Sequence, residues 1–407
     1  MTHITGTRGC APRKPRHRLL MASLTAGLVF LSACGGSGGS GGGGKTSEEV
    51  LSDATAAVRA NRGGQDAPLP ASGPAPQAGQ NIWVVCSTMA AEGCSVPAES
   101  AKEAGEAIGW DVTIVDGKGS PEEYANGINS AIAAKADGII LANIDCVNAK
   151  SALANAKQAG VKTFAFYAFD CDDPMLASGG APLFDAQLLL AGGITYQEFS
   201  EEHYSRSQAD YAIASTDGEA KIIEFTETDI LIAQHLNMGF EKRVAECGGC
   251  EIVKKVPFTL TDLVTGKLQG KTEAALTQNP QADVVYVPYD AALTAGISQA
   301  VVASGRNDDV LVVGGEGLTP NVGFVQDNKG QDFIAGTPAR WVGWAAIDGM
   351  NRLLQGEPQV DSGIGYQTID SKGPFPSETT YYDGNVDADG KPKQDYEANY
   401  RKIWGIS

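Results

Sequence analysis

Short apolar segments alternate with helical patterns along most of the chain, and this alternation restricts its fold more than any other feature. The predicted strands cover 82–86, 112–116, 138–143, 162–169, 221–225, 251–256, 283–287, 310–315 and 333–337. The predicted helices between them include 97–108, 195–211 and 263–278. One helix between them starts at Ser120-Pro121-Glu122-Glu123, where Ser caps and Pro takes the first helical position. Short, continuously apolar strands joined by helices indicate parallel sheets buried on both faces. The predicted class is α/β, with two doubly wound parallel-sheet lobes.

The N-terminus has the pattern of an export signal. Five basic residues precede an apolar run from Leu19 to Leu31, namely Arg8, Arg13, Lys14, Arg16 and Arg18. The segment Leu31-Ser32-Ala33-Cys34 then resembles the lipobox of bacterial lipoproteins, which implies cleavage after Ala33 and lipidation of Cys34. An ordinary signal peptide or a short membrane anchor is the alternative, although ~20 apolar residues are needed to span a membrane. We expect a lipid-anchored protein on the extracytoplasmic face of the cell membrane.

The segment between the lipobox and the first strand is predicted to be mainly spacer. Residues 35–44, GGSGGSGGGG, are typical of a flexible tether. A short helix follows from Thr46-Ser47-Glu48-Glu49 to about Arg62, and the Pro-rich stretch 63–80 is a second, stiffer linker. The expected organisation is a signal peptide over 1–33, then an anchor, tether, helix and linker over 34–80.

The charge balance argues against one class of partner. The chain has 31 basic and 49 acidic residues. Loss of the leader would leave 26 basic residues, a net charge of −23. Such a surface repels phosphate backbones, so nucleic-acid binding is not expected.

Six cysteines remain once Cys10 leaves with the leader and Cys34 is lipidated. An even number in an exported protein favours disulfides. Pairing by neighbourhood predicts Cys86–Cys94, Cys146–Cys171 and Cys247–Cys250. A zinc site built from Cys86, Cys94, Cys247 and Cys250, or a redox role for Cys247-Gly-Gly-Cys250, is the alternative.

Catalytic motifs are hard to find in the sequence. The mature chain has only His203 and His235, both inside predicted helices, and it has neither an HExxH nor a GxSxG motif. The segment 266–272, GKLQGKT, is one residue short of a phosphate-binding loop and follows no strand. We therefore expect neither an enzyme nor a cofactor.

One segment near the C-terminus has partial calcium-loop spacing. Asn385, Asp387 and Asp389 occupy positions 1, 3 and 5, and Gly390 occupies position 6. Position 12 is Tyr396 instead of the bidentate Glu, so a polar turn is the preferred interpretation and no metal site is predicted.

Several segments in the same order resemble one protein family. They include DGKGSPEEYANGINSAIAAKADGIILAN, MGFEKRV, LTQNPQADVVYVPYDAALTAGISQAV and VLVVGGEG. Over roughly residues 81–360 the chain resembles the sugar-type periplasmic binding proteins of ABC importers. The resemblance implies a type I fold with hinge segments near 193, 337 and 362. The N-terminal lobe would be 81–193 plus 338–362, and the C-terminal lobe 194–337 plus 363–407.

The resemblance also implies a set of ligand-binding residues at strand ends. They are Thr88, Met89, Glu92, Asp145, Tyr167, Gln234, Tyr289, Asp290, Glu316, Arg340 and Trp341. Carboxylates and amides would bind sugar hydroxyls, and aromatic rings would face the C–H surface. Met89, Tyr167 and Tyr289 depart from the polar pattern, so a less polar ligand, such as an aromatic or steroid-like acid, stays open.

The predicted function is capture of a small molecule, sugar or sugar-like, between two closing lobes for delivery to a membrane ABC permease, with the protein acting as a monomer. A ligand-sensing receptor subunit is the alternative. A transcription regulator of the same fold is opposed by the leader and the acidic charge.

Overall fold

The structure is a computed structural model that describes residues 45–176, 180–376 and 382–406. The predicted signal peptide, Cys34 and the glycine-rich tether lie outside the described residues. Within the described residues, the strands are β1 Asn81–Cys86, β2 Asp111–Asp116, β3 Gly138–Ala142, β4 Lys162–Phe166, β5 Ala186–Gln187, β6 Lys221–Glu227, β7 Glu251–Phe258, β8 Val284–Tyr286, β9 Leu311–Glu316, β10 Phe333–Gly336 and β11 Gln367–Asp370.

The helices of the described residues are α1 Ser47–Asn61, α2 Glu92–Ala107, α3 Pro121–Ala133, α4 Cys146–Ala159, α5 Tyr196–Glu198, α6 Ser205–Ser215, α7 Leu231–Ala245, α8 Leu260–Val264, α9 Leu268–Gln278, α10 Asp290–Ala292, α11 Ser298–Ala303, α12 Thr319–Asp327, α13 Ala339–Gln355 and α14 Tyr396–Trp404. Two π-helical segments, Phe199–Tyr204 and Leu293–Ile297, continue α5 and α10.

The first sheet is parallel throughout, with strand order β2-β1-β3-β4-β5. Successive residues of β1 point to opposite faces, and both faces are covered by helices. Val84 packs in the cluster that contains residues of α2 and α13, whereas Val85 packs with residues of α3 and α4. This two-sided burial explains why the strand is apolar at every inner position. We call this sheet and its helices α2, α3, α4 and α13 the N-lobe.

The second sheet has the order β11-β10-β9-β8-β6-β7, and only β11 runs antiparallel to its neighbour. Ile222 and Ile223 of β6 again point to opposite faces. Ile222 packs with residues of α6 and α7, and Ile223 with residues of α9 and α11. We call this sheet and its helices α6, α7, α9, α11 and α12 the C-lobe. The prediction of two doubly wound lobes is confirmed.

Among the described residues, the segments between the first strand and β11 that connect the lobes are 188–195, 337–338 and 356–366. The first and third lie side by side, because Leu189 forms a bridge with Asp361. The Asp361 carboxylate also accepts a hydrogen bond of 2.8 Å from the Gly192 amide. These crossings lie near the positions that the family resemblance implies for the hinges.

Residues 46–80 are more ordered than a spacer would be. Val50 and Ala54 of α1 are buried against Ile213 of α6, so α1 belongs to the C-lobe. Residues 62–80, which we call the strap, then pass from α1 to the N-lobe. The amide of Gln65 donates to the carbonyl of Tyr366 at 2.8 Å, beside the third crossing. The prolines prevent regular structure here, but the strap still packs along the folded body.

The C-terminal helix packs on the N-lobe, whereas the prediction places the tail with the C-lobe. Trp404 of α14 stacks on Trp344 of α13, with ring centroids 5.6 Å apart. The indole N–H of Trp404 donates to Asp348 Oδ1 at 2.9 Å. The family resemblance implied the C-lobe, but the buried residues of α14, Tyr396, Tyr400 and Trp404, face α13.

Some predicted boundaries also differ. Helix α2 begins at Glu92 and contains Pro97, where the prediction starts the helix. The predicted helix 263–278 is two helices, because Gly266 between α8 and α9 has φ 71°. Strand β4 ends at Phe166, since Tyr167 adopts φ 51° and leaves the sheet direction.

Candidate ligand-binding site

A cavity of about 530 Å³ lies between the N-lobe and the C-lobe. Its walls come from loops that follow β1, β2, β3 and β4 in one lobe and β6, β7, β8, β9 and β10 in the other. Ligands of doubly wound proteins bind outside the carboxyl ends of the strands. The volume is within the range of small-molecule sites.

A second cavity, of about 460 Å³, lies at the other end of the N-lobe sheet. Its lining includes Asp137 and Val161, which come before β3 and β4 rather than after them. Because it lies at the amino ends of the strands and involves one lobe, the interlobe cavity is the stronger candidate.

Aromatic rings form much of the interlobe wall. They are Tyr124, Tyr167, Tyr196, Phe199, Tyr204 and Tyr289. The rings of Tyr167 and Tyr196 are 5.1 Å apart and come from opposite sides of the first crossing. Burial raises the pKa of Tyr124 to about 12 and raises those of Tyr196 and Tyr204 well above the usual value. These hydroxyls therefore stay protonated at neutral pH.

Glu316 is the acid at the end of β9, and its carboxylate enters the cavity lining. Its Oε2 accepts hydrogen bonds from the amides of Asp290 and Ala291, at 3.1 and 3.4 Å. Burial, together with the charge of Asp290, raises the pKa of Glu316 to about 8. Ionisation of the Glu316 carboxyl group therefore costs free energy in this site.

Asp290 supports this arrangement from below the cavity surface. Its Oδ1 accepts from the amide of Gly315 at 2.8 Å and from Gln331 Nε2 at 2.7 Å, and its Oδ2 accepts from the amide of Gly317 at 2.8 Å. Burial raises the pKa of Asp290 to about 7. The side chain is fully buried and does not reach the cavity.

Three cavity residues have left-handed backbone conformations without being glycine. They are Asn143 after β3 with φ 58°, Tyr167 after β4 with φ 51°, and Glu316 with φ 101°. Such conformations are costly for residues with a Cβ and concentrate at functional sites. Asn143 Oδ1 is also buried without a hydrogen-bond partner. The unusual backbone conformations at these strand ends direct the side chains of Asn143, Tyr167 and Glu316 into the interlobe cavity.

The structure brings five predicted site residues together in the interlobe cavity: Thr88, Asp145, Tyr167, Tyr289 and Glu316. Asp145 accepts a hydrogen bond of 3.0 Å from the amide of Phe169, and burial raises its pKa to about 6. The hydroxyl of Tyr289 donates to Glu227, a buried acid of β6. Their roles in ligand binding stay predictions.

Met89, Glu92 and Gln234 lie outside the cavity lining. The Met89 amide donates to Asp116 Oδ1 at 3.0 Å, and its side chain packs on the core. Glu92 accepts from the amide of Thr319 at 3.0 Å, which joins the two lobes. Gln234 donates to the Thr228 carbonyl and lines a separate surface depression. We therefore leave these three residues out of the proposed site.

Asp290, Arg340 and Trp341 are also outside the lining, contrary to the expectation that they face the cleft. Arg340 forms ion pairs with Glu103 and Glu397 on the outer side of α13. Trp341 is fully buried, because α14 covers it. Strand-end and helix-start positions suggested the cleft, but the side chains point away from it.

Sequence reasoning missed Asn143, Tyr124, Tyr196, Phe199 and Tyr204. Tyr196, Phe199 and Tyr204 follow the first crossing, where the prediction has one helix. Their spacing would have marked one face of that helix. No signal in the sequence marked Asn143, whose position depends on its backbone conformation.

The structure pairs the cysteines as the neighbourhood argument predicts. Cys86–Cys94 closes the loop beside the cavity, with Cα atoms 6.2 Å apart. Cys146–Cys171 has a Cα separation of 5.1 Å and Cys247–Cys250 one of 5.4 Å. Since Cys247 packs against α1 in the C-lobe and Cys94 belongs to the N-lobe core, the four-cysteine zinc site does not form.

The partial calcium loop is a turn in the structure. Asp387 Oδ1 accepts from the amides of Asp389 and Lys391, at 2.8 and 3.1 Å. Tyr396, at position 12, donates to Asp383 Oδ2 at 2.6 Å. Backbone amides therefore occupy this carboxylate oxygen in the turn.

The lobes also meet through a buried histidine. His235 Nε2 of α7 lies 3.0 Å from Asp173 Oδ2 in the loop after β4, and its Nδ1 lies 2.6 Å from Glu201 Oε1. The imidazole ring stacks on Phe169 with centroids 4.1 Å apart. His235 therefore links α7 to the loop after β4 and to Glu201.

A family model described as "Periplasmic binding protein domain" matches residues 82–358. The chain belongs to the periplasmic binding protein family. Members of this family bind solutes outside the cytoplasm and are not enzymes, so the expectation of binding without catalysis is confirmed. A search of curated proteins found no match.

Solved structures of periplasmic binding proteins share the fold of this family member at low sequence identity. A glucose-galactose binding protein from Geobacillus stearothermophilus has 17% identity and a TM-score of 0.60, with 73% of this chain and 99% of that chain covered. An ABC transporter solute-binding protein from Actinobacillus succinogenes 130z with bound D-allose has 18% identity and a TM-score of 0.61, covering 72% and 98%. One from Mycobacterium smegmatis with bound glycerol has 20% identity and a TM-score of 0.57, covering 72% and 94%.

In the part of this periplasmic binding protein that the structure describes, no helix combines the length and apolarity needed to cross a membrane.

Proposed function

We propose that this protein is a lipid-anchored, extracytoplasmic solute-binding protein. It captures a small sugar or sugar-like molecule in the interlobe cavity and delivers it to an ABC permease. The observation that carries this proposal is the cavity itself, whose walls come from strand ends of both lobes. A ligand held by both lobes at once would favour the closed arrangement over an open one.

The lipid anchor rests on the sequence pattern ending at Cys34.

The sugar-like ligand is supported by the lining and by the relatives. Tyrosine rings offer faces for the C–H surface of a hydroxylated ring, while Glu316, Asn143 and Thr88 offer hydrogen-bonding groups. Two of the similar structures hold D-allose and glycerol. An aromatic or steroid-like acid fits less well, because a ligand carboxylate would meet Glu316 and Asp145 with no basic residue in the described lining.

A thermal-shift screen tests the proposal. The chain from residue 45 is heated with pentoses, hexoses, polyols and aromatic or steroid acids. We expect a sugar or polyol to raise the melting temperature, because binding to the folded state stabilises it by mass action.

Two matched variants locate the effect. Ala91→Trp places a large side chain in the interlobe cavity, and Ala159→Trp does the same in the cavity at the other end of the N-lobe. The shift should disappear in Ala91→Trp and persist in Ala159→Trp. If the shift persisted in Ala91→Trp and disappeared in Ala159→Trp, the ligand would bind in the cavity at the other end of the N-lobe. A shift with aromatic or steroid acids alone would reject a sugar-like ligand.

A further inference from the structure

We propose that the captured solute carries a positively charged amine, and that Glu316 and the surrounding tyrosines bind this ammonium group. The inference rests on the proposed function, since it names the chemistry of the ligand in the same cavity. It goes beyond the neutral sugars and polyols of the similar structures.

The charge of the cavity lining is the first observation. Three acids line it, Asp145, Asp229 and Glu316, and the described lining contains no Lys, Arg or His. The charged groups that act most strongly on Glu316 are also acids, Asp290 and Glu92. Ionising a buried carboxylate that has no basic partner costs free energy. A ligand that carries a positive charge would supply that partner.

The hydrogen-bond inventory gives the same answer. Glu316 Oε2 is occupied by two backbone amides, while Oε1 faces Gly93 of the opposite lobe, 2.7 Å from where a Cβ on that glycine would lie. Two buried groups of the described lining have no hydrogen-bond partner: Asn143 Oδ1, which only accepts, and the Tyr167 hydroxyl, which can donate or accept. The cavity therefore has acceptors for the N–H donors of a primary ammonium group, whereas a quaternary ammonium such as choline would rely on its charge and on the ring faces.

The tyrosine rings of the cavity wall are a second group that would bind a cationic ligand. The negative charge of Glu316 reaches Tyr167, Tyr196, Tyr204 and Tyr289, where it adds to the effect of burial in raising their pKa values. The hydroxyls of these four residues therefore lie within electrostatic range of the same carboxyl group. All four residues also line the cavity together with Glu316. Aromatic faces attract organic cations through the ring quadrupole, most strongly when water is excluded. An acid among tyrosines suits a cation with apolar substituents.

The charge of the whole chain favours the same class of ligand. The full sequence has a formal net charge of −18, which raises the local concentration of cations and disfavours anions. Because burial raises the pKa of Glu316 to about 8, an ammonium ligand bound at neutral pH would displace a proton from this carboxyl group.

The test uses matched pairs that differ in charge but little in shape. The probes are choline with 3,3-dimethylbutan-1-ol, D-glucosamine with D-glucose, and 2-phenylethylamine with 2-phenylethanol. Each compound is titrated by calorimetry into the chain from residue 45 at pH 7. We expect the cation of at least one pair to bind about tenfold more tightly than its neutral partner. For choline, titration in two buffers should show release of a proton.

Two variants identify the groups responsible. Glu316→Gln removes the charge but keeps the size, and Tyr196→Leu removes a ring face. Each should reduce the preference for the cation to about threefold or less. Glu357→Gln makes the same chemical change at an exposed position after α13 and should leave the preference intact. A melting curve of each unliganded variant shows whether it is folded, and Tyr196→Leu decides the question if Glu316→Gln is not.

The outcomes separate this inference from the proposed function. Equal or tighter binding of the neutral partners would overturn the inference and leave capture of a solute intact. If no amine binds but a neutral sugar shifts the melting temperature, the inference is likewise overturned and capture of a solute remains intact. A preference for the cation that survives both Glu316→Gln and Tyr196→Leu would also overturn it. Failure of every amine and every sugar would reject both.

Discussion

Asp290 and Glu316 hold each other's backbone. The Asp290 carboxylate accepts hydrogen bonds from the amides of Gly315 and Gly317, on either side of Glu316. In return, Glu316 Oε2 accepts from the amides of Asp290 and Ala291. This reciprocal clamp joins the end of β9 to the start of α10. It fixes Glu316 at φ 101°, a conformation that a non-glycine residue adopts only under constraint.

Removing the Asp290 side chain should loosen this clamp. Asp290→Ala leaves three buried donors unpaired, so we expect a loss of about 2–4 kcal/mol in the free energy of unfolding and weaker ligand binding. Asp290→Asn keeps one acceptor oxygen and should cost less. Urea unfolding of both variants measures the difference. Unchanged stability in Asp290→Ala would contradict the clamp.

Gly93 tests closure of the lobes. A Cβ on this α2 residue would lie 2.7 Å from Glu316 Oε1 in the opposite lobe. Gly93→Ala should therefore weaken ligand binding by about tenfold, because Glu316 must move its Oε1, while the higher helix propensity of alanine favours α2 in the unliganded protein. Calorimetry with the best ligand and a melting curve measure the two effects.

The matched control is Gly323→Ala in α12, where a Cβ meets nothing within 4 Å. It should raise helix stability in the same way without changing affinity. Equal affinity of the Gly93 and Gly323 variants would show that the two lobes do not approach at this point in the bound state.

Trp341 is predicted to matter for stability rather than for ligand contact. It is fully buried and stacks on Tyr396 of α14, with centroids 5.5 Å apart. Trp341→Ala should lower the free energy of unfolding by about 3–5 kcal/mol because it leaves a large cavity. Its neighbour Arg340, which is paired on the surface, should cost about 1 kcal/mol when changed to alanine. A stable Trp341→Ala variant with lost binding would return this residue to the site.

Stability should fall as pH rises from about 5 to about 8. Burial raises the pKa of Asp145 to about 6, of Asp290 to about 7 and of Glu227 and Glu316 to about 8. The folded chain therefore binds more protons than the unfolded chain in this interval. The free energy of unfolding decreases with pH until these groups are ionised in both states.

Melting curves at pH 5, 6, 7 and 8 measure this dependence. We expect a melting temperature about 5 °C or more higher at pH 5 than at pH 8. Glu227→Gln, which retains a partner for the Tyr289 hydroxyl, should flatten the slope. A melting temperature that increases steadily with pH would refute the account of the buried acids.

The sequence was sufficient for the fold because burial on both sheet faces leaves a direct mark on it. The runs around Val84 and Ile222 are apolar at consecutive positions, which only a strand covered on two sides requires. The position of the C-terminal helix was harder to predict. Helix α14 packs on α13 of the other lobe, and the order of elements along the chain does not indicate this contact.

The site was predictable only to the level of strand ends. Tyr167, Tyr289 and Glu316 follow strands and do reach the cavity, but Asp290 and Trp341 hold similar positions and point away. A side chain's direction after a strand depends on one backbone angle, as the positive φ of Tyr167 and Glu316 shows. That angle is determined by tertiary hydrogen bonds, which single-residue patterns do not reveal.

The central claim is that a solute binds between the lobes, and hydrogen–deuterium exchange with the best ligand of the screen tests it most directly. Slower exchange is predicted in segments of both lobes that line the interlobe cavity, at 87–94, 143–148, 196–204 and 289–291. Protection confined to one lobe, or to the cavity around Asp137 and Val161, would contradict the claim.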